Sequence, residues 1–315
     1  MFDLFAPNSL TFTSNPYDDP VLCPDGVAVP GADPARDCGQ QFQQQQGGNK
    51  QTEPEESDSW SVGFVLQPMK DLSFAVDYWN TKITGLVGAL PDSAVFGDPA
   101  LYANKFVRCS QLTPSERIAL QATCGGQSTV DPLAYVIGTT ENLGDMEAAG
   151  IDFNIQYTMP AAEWGKLKFT YSGTYLTKWE QQLVKNGEWY NALGRYSFEL
   201  DFPAFRYQGV FTANWTYGGW GAIVTNRFRS GYADQNDADN LLEGFADNTV
   251  GALSVWDLVG TYSGIKGLAL SAGVLNVFNS DPPFSNQGSR FQVGYDPRYA
   301  SPFGRTWLLR AAYSF

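Results

Sequence analysis

The feature that most constrains the fold is a two-residue alternation of apolar and polar side chains that recurs along most of the chain. In GIDFNIQYT, residues 151, 153, 155 and 157 are apolar or aromatic and the residues between them are polar. Alternation with this period is typical of a β-sheet that has one apolar and one polar face. The same pattern recurs in SWSVGFVLQ, LSFAVDYW, KLKFTYSGTY, GVFTANWTY, WGAIVTNRF, VWDLVGTY, LALSAGVLNVF and FGRTWLLRAAYSF, which predicts about nine strands.

Composition excludes several classes of protein. The longest apolar runs fall well short of the about 18 to 20 residues that a membrane-spanning helix needs, although 43% of the residues are hydrophobic. A net charge of −13 argues against a nucleic-acid partner, because duplex phosphates would be repelled. Histidine is absent, which removes Ser-His-Asp catalysis and imidazole metal sites. We therefore expect no enzyme, and assign no catalytic residue, metal site or cofactor.

The four cysteines form two local pairs, Cys23 with Cys38 and Cys109 with Cys124. Disulfides within these pairs would indicate an oxidising compartment, while free structural thiols are the alternative. The closely spaced cysteine pairs of zinc sites are missing. The opening MFDLFAPNSLTF has neither the basic region nor the apolar core of a signal peptide, so we expect a chain whose export signal is absent from its front.

The connections between the predicted strands alternate between short and long. Short ones lie near 68–70, 160–165, 218–219 and 264–267, and long ones at 1–56, 84–133, 181–203, 233–251 and 280–302. Short turns on one side and long loops on the other are typical of outer-membrane β-barrels, whereas a soluble β-sandwich rarely sorts its loops in this way. Tyrosine and tryptophan near the strand ends fit an aromatic girdle at the lipid headgroups: Trp60, Tyr78, Tyr157, Trp220, Tyr262 and Tyr313.

A membrane barrel would turn the apolar faces toward lipid and the polar faces toward a water-filled lumen. The residues predicted to face the lumen are Asp152, Asn154, Gln156, Lys166, Lys168, Arg227 and Arg310. The last segment resembles the C-terminal strand that the insertion machinery of bacterial outer membranes reads. The residues assigned to this insertion signal are Gly304, Trp307, Leu309, Tyr313 and Phe315.

Four blocks together resemble the C-terminal barrel of TonB-dependent outer-membrane receptors, over roughly residues 50–315. They are SDSWSVGFVLQPMKDLSFAVDYWNTKI, ENLGDMEAAGIDFNIQYTM, SVWDLVGTYSGIKGLALSAGVLNVFNSDPPF and GYDPRYASPFGRTWLLRAAYSF. The resemblance implies an all-β fold: an antiparallel transmembrane β-barrel segment of about nine strands out of 22, with short periplasmic turns and long extracellular loops. Residues 1–56, with Cys23 and Cys38, would be an extracellular loop region, and residues 57–315 the C-terminal part of the barrel.

The resemblance also implies a function. Such receptors take up a scarce nutrient, for example siderophore-bound iron, cobalamin or an oligosaccharide, across the outer membrane of a Gram-negative bacterium. The implied partners are outer-membrane lipid, the barrel-insertion machinery, a small-molecule nutrient, and TonB through an N-terminal region. We expect that region, with its plug domain and signal peptide, to be missing here. The alternatives are a stand-alone outer-membrane barrel or adhesin, and a soluble secreted β-rich binding protein.

Smaller motifs fall in the predicted loops. TPSERIALQATC begins with a capping-box pattern, Thr113 followed by Glu116, which predicts a short helix. The glutamine-rich QQFQQQQGGNKQ is expected to be a loop. Three acidic residues, Glu141, Asp145 and Glu147, are interpreted as a charged rim rather than a hydrolytic pair. Three loop aromatics could stack on a ligand: Phe42, Trp179 and Trp189.

Overall fold

The computed structural model describes residues 1–124, 129–197, 199–234, 248–286 and 293–314. Most of the chain is β-structure, and its largest element is one sheet. In chain order the main strands of this sheet are β1 (Glu56–Met69), β2 (Leu72–Thr84), β3 (Met146–Ala162), β4 (Gly165–Gln182), β5 (Tyr207–Tyr217), β6 (Trp220–Arg229), β7 (Leu253–Ile265), β8 (Leu268–Leu275) and β9 (Thr306–Tyr313).

Each main strand pairs with the strand that follows it along the chain, so the sheet is a meander from β1 to β9. The pairs from β4 to β9 are antiparallel. The short strand Trp189–Asn191 also pairs with β4. Within the described residues β1 and β9 remain the two edges, and the sheet does not close. The nine main strands of this sheet confirm the prediction of about nine antiparallel strands that form part of a barrel.

Among the described residues, no helix is both long and apolar enough to cross a membrane.

Connections of two residues join the strands at one end of the sheet, at 70–71, 163–164, 218–219 and 266–267. Gly218 and Gly267 adopt positive φ angles of 55° and 80°, which only glycine reaches without strain in such tight turns. The other connections, 85–145, 183–206, 230–252 and 276–305, lie at the opposite end and are much longer. The predicted division into short and long connections is present, with turns even tighter than expected.

The register of the sheet keeps the apolar stripes of successive strands on one face. Residues directly opposite each other in an antiparallel pair point to the same side. One row of opposed residues runs across six strands through Leu167, Trp215, Ala222, Gly260, Ala272 and Leu309. The alternation read within each strand is therefore continuous across β4 to β9.

One compact unit comprises Met1–Ser57, Ile83–Met146 and Gln182–Trp189, and we call it the loop unit. It contains a four-stranded sheet in the order Ser9–Phe12, Gln43–Gln46, Leu133–Ile137, Phe106–Arg108, and a two-stranded sheet of Val87–Ala89 and Thr140–Asn142. Its helices are Phe2–Phe5, Pro34–Asp37, Asp92–Gly97, Pro114–Ala119 and Gln121–Cys124, and its 3₁₀ turns are Pro24–Gly26, Ala103–Lys105 and Cys109–Gln111.

The glutamine tract was predicted to be a loop, and that prediction is wrong. Gln43–Gln46 forms a strand that pairs antiparallel with Ser9–Phe12 and parallel with Leu133–Ile137. Pairing on both sides satisfies backbone groups that an isolated glutamine run would leave to water. The loop unit also has a core of its own, formed by Phe42, Leu90, Val95, Phe106, Leu133 and Val136.

Two disulfides tie the loop unit, Cys23–Cys38 and Cys109–Cys124. Each closes a segment with a sequence separation of 15 residues. In the chain-entropy account, a bond over a loop of this size restricts the unfolded chain by about 3 kcal/mol. Both disulfides therefore stabilise the folded loop unit.

The second compact unit comprises Asp58–Lys82, Glu147–Gln181 and Tyr190–Phe315, and contains most of the large sheet. Its long connections carry two small two-stranded sheets, Tyr196–Ser197 with Phe202–Pro203 and Tyr232–Ala233 with Thr249–Val250. Two buried clusters pack these connections: Tyr196, Phe205, Tyr232 and Val250 in one, and Leu176, Ala192 and Ala204 in the other.

Candidate functional site

The residues predicted to face the lumen share one face of the sheet. A row of opposed residues connects Lys166 to Arg310 through Thr216, Gly221, Thr261 and Ser271. Lys168 lies on the same side of β4, two residues from Lys166. Arg227 joins this face because it is opposite Val210, which is opposite Ser172. That this polar face lines a lumen remains a prediction.

The three polar residues of β3 reach the same face through side-chain hydrogen bonds. Thr174 donates from Oγ1 to the Asp152 carboxylate over 2.5 Å, and Asn154 donates to the Ser172 hydroxyl over 2.6 Å. The Gln156 amide donates to Asn154 over 3.1 Å. Because Ser172 and Thr174 alternate with the apolar residues of β4, this network lies on the polar side of the sheet.

The opposite face carries rings that stack across neighbouring strands. Tyr157 and Phe169 lie 6.4 Å apart between ring centres, and Phe169 and Phe211 lie 6.2 Å apart. Trp220 and Tyr262, beside two of the two-residue turns, approach to 4.5 Å. Large apolar side chains on this face are exposed to a degree that soluble monomers rarely show, which marks a surface that contacts membrane or another protein.

The final strand presents its large side chains on this apolar face. Trp307, Leu309 and Tyr313 are opposite Val274, Ala272 and Leu268, and Leu309 is 85% exposed. Gly304 precedes the strand, where the next backbone N–H donates to the Asn279 side chain over 2.8 Å. Phe315 lies outside the described residues. A role of this segment in membrane insertion stays a prediction.

Arg227 does not stand alone on the polar face. Its guanidinium forms an ion pair with Asp257, a carboxylate that is almost completely buried. The other oxygen of Asp257 accepts the Asn276 backbone N–H over 2.8 Å. The charge of Arg227 is therefore balanced within the protein.

Another arginine on this face, Arg229, sits at the end of β6 next to the long connections. Its guanidinium carbon lies 4.7 Å from the ring centre of Phe205 and 5.6 Å from that of Tyr299. Nη1 donates to the Tyr299 carbonyl over 2.6 Å. Burial raises the pKa of the Tyr299 hydroxyl, which keeps it protonated. Sequence reasoning missed Arg229, although its position two residues after Arg227 placed it on the same face.

Asp234 links two long connections of the sheet unit, 230–252 and 276–305. Its carboxylate is fully buried and accepts hydrogen bonds from Ser285 Oγ over 2.9 Å, Asn248 Nδ2 over 2.8 Å and the Asn286 N–H over 2.6 Å. Several donors make a buried carboxylate tolerable. Nearby, burial raises the pKa of the Tyr232 hydroxyl well above its ordinary value.

In the loop unit a buried ion pair joins the chain just before Cys23 to the chain just before Cys109. Arg108 donates from Nη1 and Nη2 to the two oxygens of Asp19 over 2.5 and 2.8 Å. Asp19 is fully buried and also accepts the N–H groups of Val21 and Leu22. These two residues are far apart in sequence, and no local signal predicted their contact.

The predicted helix after Thr113 is confirmed, with both hydrogen bonds of the capping box. The Thr113 hydroxyl accepts the Glu116 N–H, and the Glu116 carboxylate accepts the Thr113 N–H over 2.8 Å. The carboxylate also accepts the Thr113 hydroxyl proton over 2.7 Å. These hydrogen bonds, led by that of the hydroxyl, hold the pKa of Glu116 below its ordinary value.

The loop aromatics have different environments. Phe42 is buried in the core of the loop unit, so its predicted role in stacking on a ligand is wrong. Trp179 packs edge-on against Phe202 with ring centres 6.0 Å apart. Trp189 is partly exposed.

Two of the acidic residues predicted to form a rim are paired with lysines. Glu141 contacts Lys105 in the loop unit, and Glu147 accepts from Lys178 Nζ over 2.6 Å in the sheet unit. The interpretation of the acidic residues as a charged rim stays a prediction.

The fold resembles solved outer-membrane transporters. The ferric enterobactin receptor PfeA of Pseudomonas aeruginosa matches with a TM-score of 0.56 and 16% identity, over 97% of this chain and 35% of that one. The siderophore receptor PirA of Acinetobacter baumannii matches with a TM-score of 0.57 and 11% identity, over 97% and 36%. The outer membrane transporter YddB of Escherichia coli gives 0.53 and 14%, over 86% and 34%.

The chain thus spans about a third of the length of these solved structures. At such low identities the likeness establishes the fold. No significant sequence match is found among curated proteins. The model of one family, described as TonB dependent receptor-like, beta-barrel, matches residues 5–277, which is most of the chain. The chain therefore belongs to the TonB-dependent receptor-like β-barrel family.

Proposed function

We propose that this chain forms the C-terminal part of the barrel of an outer-membrane receptor that imports a scarce small-molecule nutrient. The observation that carries the proposal is the family match over residues 5–277, together with a sheet that has one continuous polar face and one continuous apolar face. In a membrane barrel the apolar face contacts lipid and the polar face lines the lumen. Arg227 and Arg310 then face water.

The two sheet edges support a larger assembly. A free strand edge in a membrane would expose backbone N–H and C=O groups to hydrocarbon, at a cost of several kcal/mol for each group. We propose that further barrel strands of the same receptor pair with β1 and β9, and that a plug domain and the TonB contact belong to that additional part. Residues 1–56 would then lie in an extracellular region, outside the membrane.

For the substrate we propose a siderophore-bound iron as first candidate, with cobalamin and oligosaccharide as the others. PfeA is described as a ferric enterobactin receptor and PirA as a siderophore receptor. Their low identity to this chain makes them guides to the candidates to be tried. The Gram-negative outer membrane is the proposed location.

Deletion of the gene in the bacterium that encodes the chain tests the proposal. We expect the protein in the outer-membrane fraction, and slower uptake of at least one radiolabelled iron complex, cobalamin or oligosaccharide by the deletion strain, restored by a plasmid copy. Recovery of the protein in the soluble fraction contradicts the membrane assignment. Unchanged uptake of every nutrient tested, with the protein in the outer membrane, would favour a stand-alone barrel or adhesin.

A further inference from the structure

A cleft of about 310 Å³ opens where β5, β6 and β7 meet the long connections of the sheet unit. Its lining includes Gln208, Val210, Arg227, Arg229, Val255 and Tyr299. The register sets Val210 opposite Arg227 and Arg227 opposite Val255, so the cleft lies on the polar face. It is therefore on the side of the sheet along which an imported nutrient would pass.

Two arginines line the cleft, Arg227 and Arg229. Arg227 is balanced by Asp257, as described above. Arg229 forms no ion pair with a carboxylate of the described residues. Its Nη1 is used by the Tyr299 carbonyl and its Nε lies 3.3 Å from the Gln208 side-chain oxygen, whereas Nη2 has no partner in the described part of the chain.

The rings of Phe205 and Tyr299 fix this guanidinium. An arginine that stacks on aromatic faces within about 6 Å is oriented before any ligand arrives, so little side-chain freedom is lost on binding. A half-buried cation without a counter-ion is costly, and an anion that enters the cleft removes that cost. Charge-assisted hydrogen bonds to a carboxylate, phosphate or catecholate oxygen are stronger than neutral ones.

We propose that this cleft binds an anionic group of the imported ligand, with the Arg229 guanidinium as its charge partner. The proposal rests on the receptor function above and narrows its ligand to an anion. The net charge of −13 disfavours the approach of anions to the protein as a whole, so the cation held in this cleft gives such a ligand a favourable local site. A neutral ligand of the same size gains nothing from Arg229.

Binding of two ferric complexes to the full chain in outer-membrane vesicles tests the proposal. One is a hexadentate tris-catecholate complex, which is trianionic, and the other a hexadentate tris-hydroxamate complex, which is neutral. We expect the wild type to prefer the anionic complex. Arg229→Gln should weaken that binding about tenfold or more, as expected for the loss of one charged hydrogen bond, and leave binding of the neutral complex unchanged.

Arg206→Gln is the matched control, because it removes the same charge from an exposed side chain outside the cleft. Arg229→Lys keeps the charge without the planar stack, and partial recovery of anion binding separates a charge role from a folding defect. Loss of heat-modifiable mobility on gels would show that Arg229→Gln misfolds. The binding of the two complexes by Arg229→Lys then tests the proposal.

Three results overturn the proposal: wild-type binding of neither complex, equal binding of both, or the same affinity for the anion after Arg229→Gln and Arg206→Gln. If Arg229→Gln misfolds, the proposal is also overturned when Arg229→Lys prefers the anionic complex as strongly as the wild type does. None of them bears on the outer-membrane location or on nutrient uptake by cells, which the deletion experiment reads separately.

Discussion

Replacement of Arg108 by glutamine should open the loop unit locally. The substitution removes both hydrogen bonds that the guanidinium donates to Asp19, at 2.5 and 2.8 Å. Asp19 has no exposed side-chain surface and Arg108 only 14%, so solvent cannot take over the lost charge partner. An uncompensated carboxylate would remain inside the unit.

The magnitude follows from the burial of the pair. Breaking a buried ion pair by removing one partner typically costs about 3 to 5 kcal/mol. The Asp19 carboxylate keeps the backbone N–H groups of Val21 and Leu22, so the lower end applies. A loss of about 3 kcal/mol corresponds to a roughly hundredfold larger population of the locally opened state.

Hydrogen exchange measured by mass spectrometry reads this population. The Cys23 amide donates to the Asp19 carbonyl over 2.8 Å, and its exchange should quicken roughly in proportion to the open population. Arg117→Gln, an exposed helical position, is the control. The double variant Asp19→Asn with Arg108→Gln should recover part of the protection, because no buried charge is left unpaired.

The reasoning is refuted if Arg108→Gln and Arg117→Gln exchange at the same rate around Cys23. It is equally refuted if the double variant exchanges faster than Arg108→Gln alone, because the pair would then contribute through something other than the unpaired charge.

Three further predictions concern other parts of the chain. Acidification below about pH 4 should fray the helix that follows Thr113. The pKa of Glu116 is lowered in the folded protein, so its cap stabilises the helix fully above the ordinary carboxyl pKa. This stabilisation is lost as the pH falls through the lowered pKa. Amide exchange by NMR measures this, and Glu116→Gln should abolish the pH dependence. Asp234→Ala should leave buried donors unpaired at about 1 to 3 kcal/mol each, seen as faster limited proteolysis of the connecting segments. Leu309→Arg should cost about 2 to 4 kcal/mol if its face meets the middle of the membrane, whereas Leu308→Arg on the polar face should be tolerated, as heat-modifiable mobility on gels will show.

Much of the large sheet could be predicted from the sequence, because each strand is marked by the alternation of its own residues. An alternation such as that of residues 151–157 gives the strand and its two faces together. Two-residue turns then leave few registers that keep the apolar face continuous. In the row from Lys166 to Arg310, two of the five strand pairs are joined by such turns, and the other three pairings follow long connections whose register the sequence does not set.

The loop unit could not be predicted in the same way because its contacts are distant in sequence. Gln43–Gln46 has no apolar alternation, and becomes a strand through pairing with Ser9–Phe12 and Leu133–Ile137. Phe42 is buried by residues that come from the second half of the unit. Neither the strand nor the burial of Phe42 could be predicted from the residues of the tract itself.

The cleft could be predicted only in part. Arg229 follows Arg227 by two residues on the same strand, so its side chain could be predicted to lie on the same face. Its surroundings could not, because Phe205 and Tyr299 come from connections whose backbone has no periodic pattern. The ion pair of Arg227 with Asp257 is likewise a cross-strand contact that needs the three-dimensional register.

We propose that one face of the sheet contacts lipid and the other contacts water. Spin labels at Phe211 and Thr212, adjacent residues of β5 on opposite faces, test it most directly in outer-membrane vesicles. We expect a label at position 211 to collide with oxygen dissolved in lipid and to be shielded from a water-soluble nickel complex, with the reverse at position 212. Equal accessibility at both positions, or the opposite order, would contradict it.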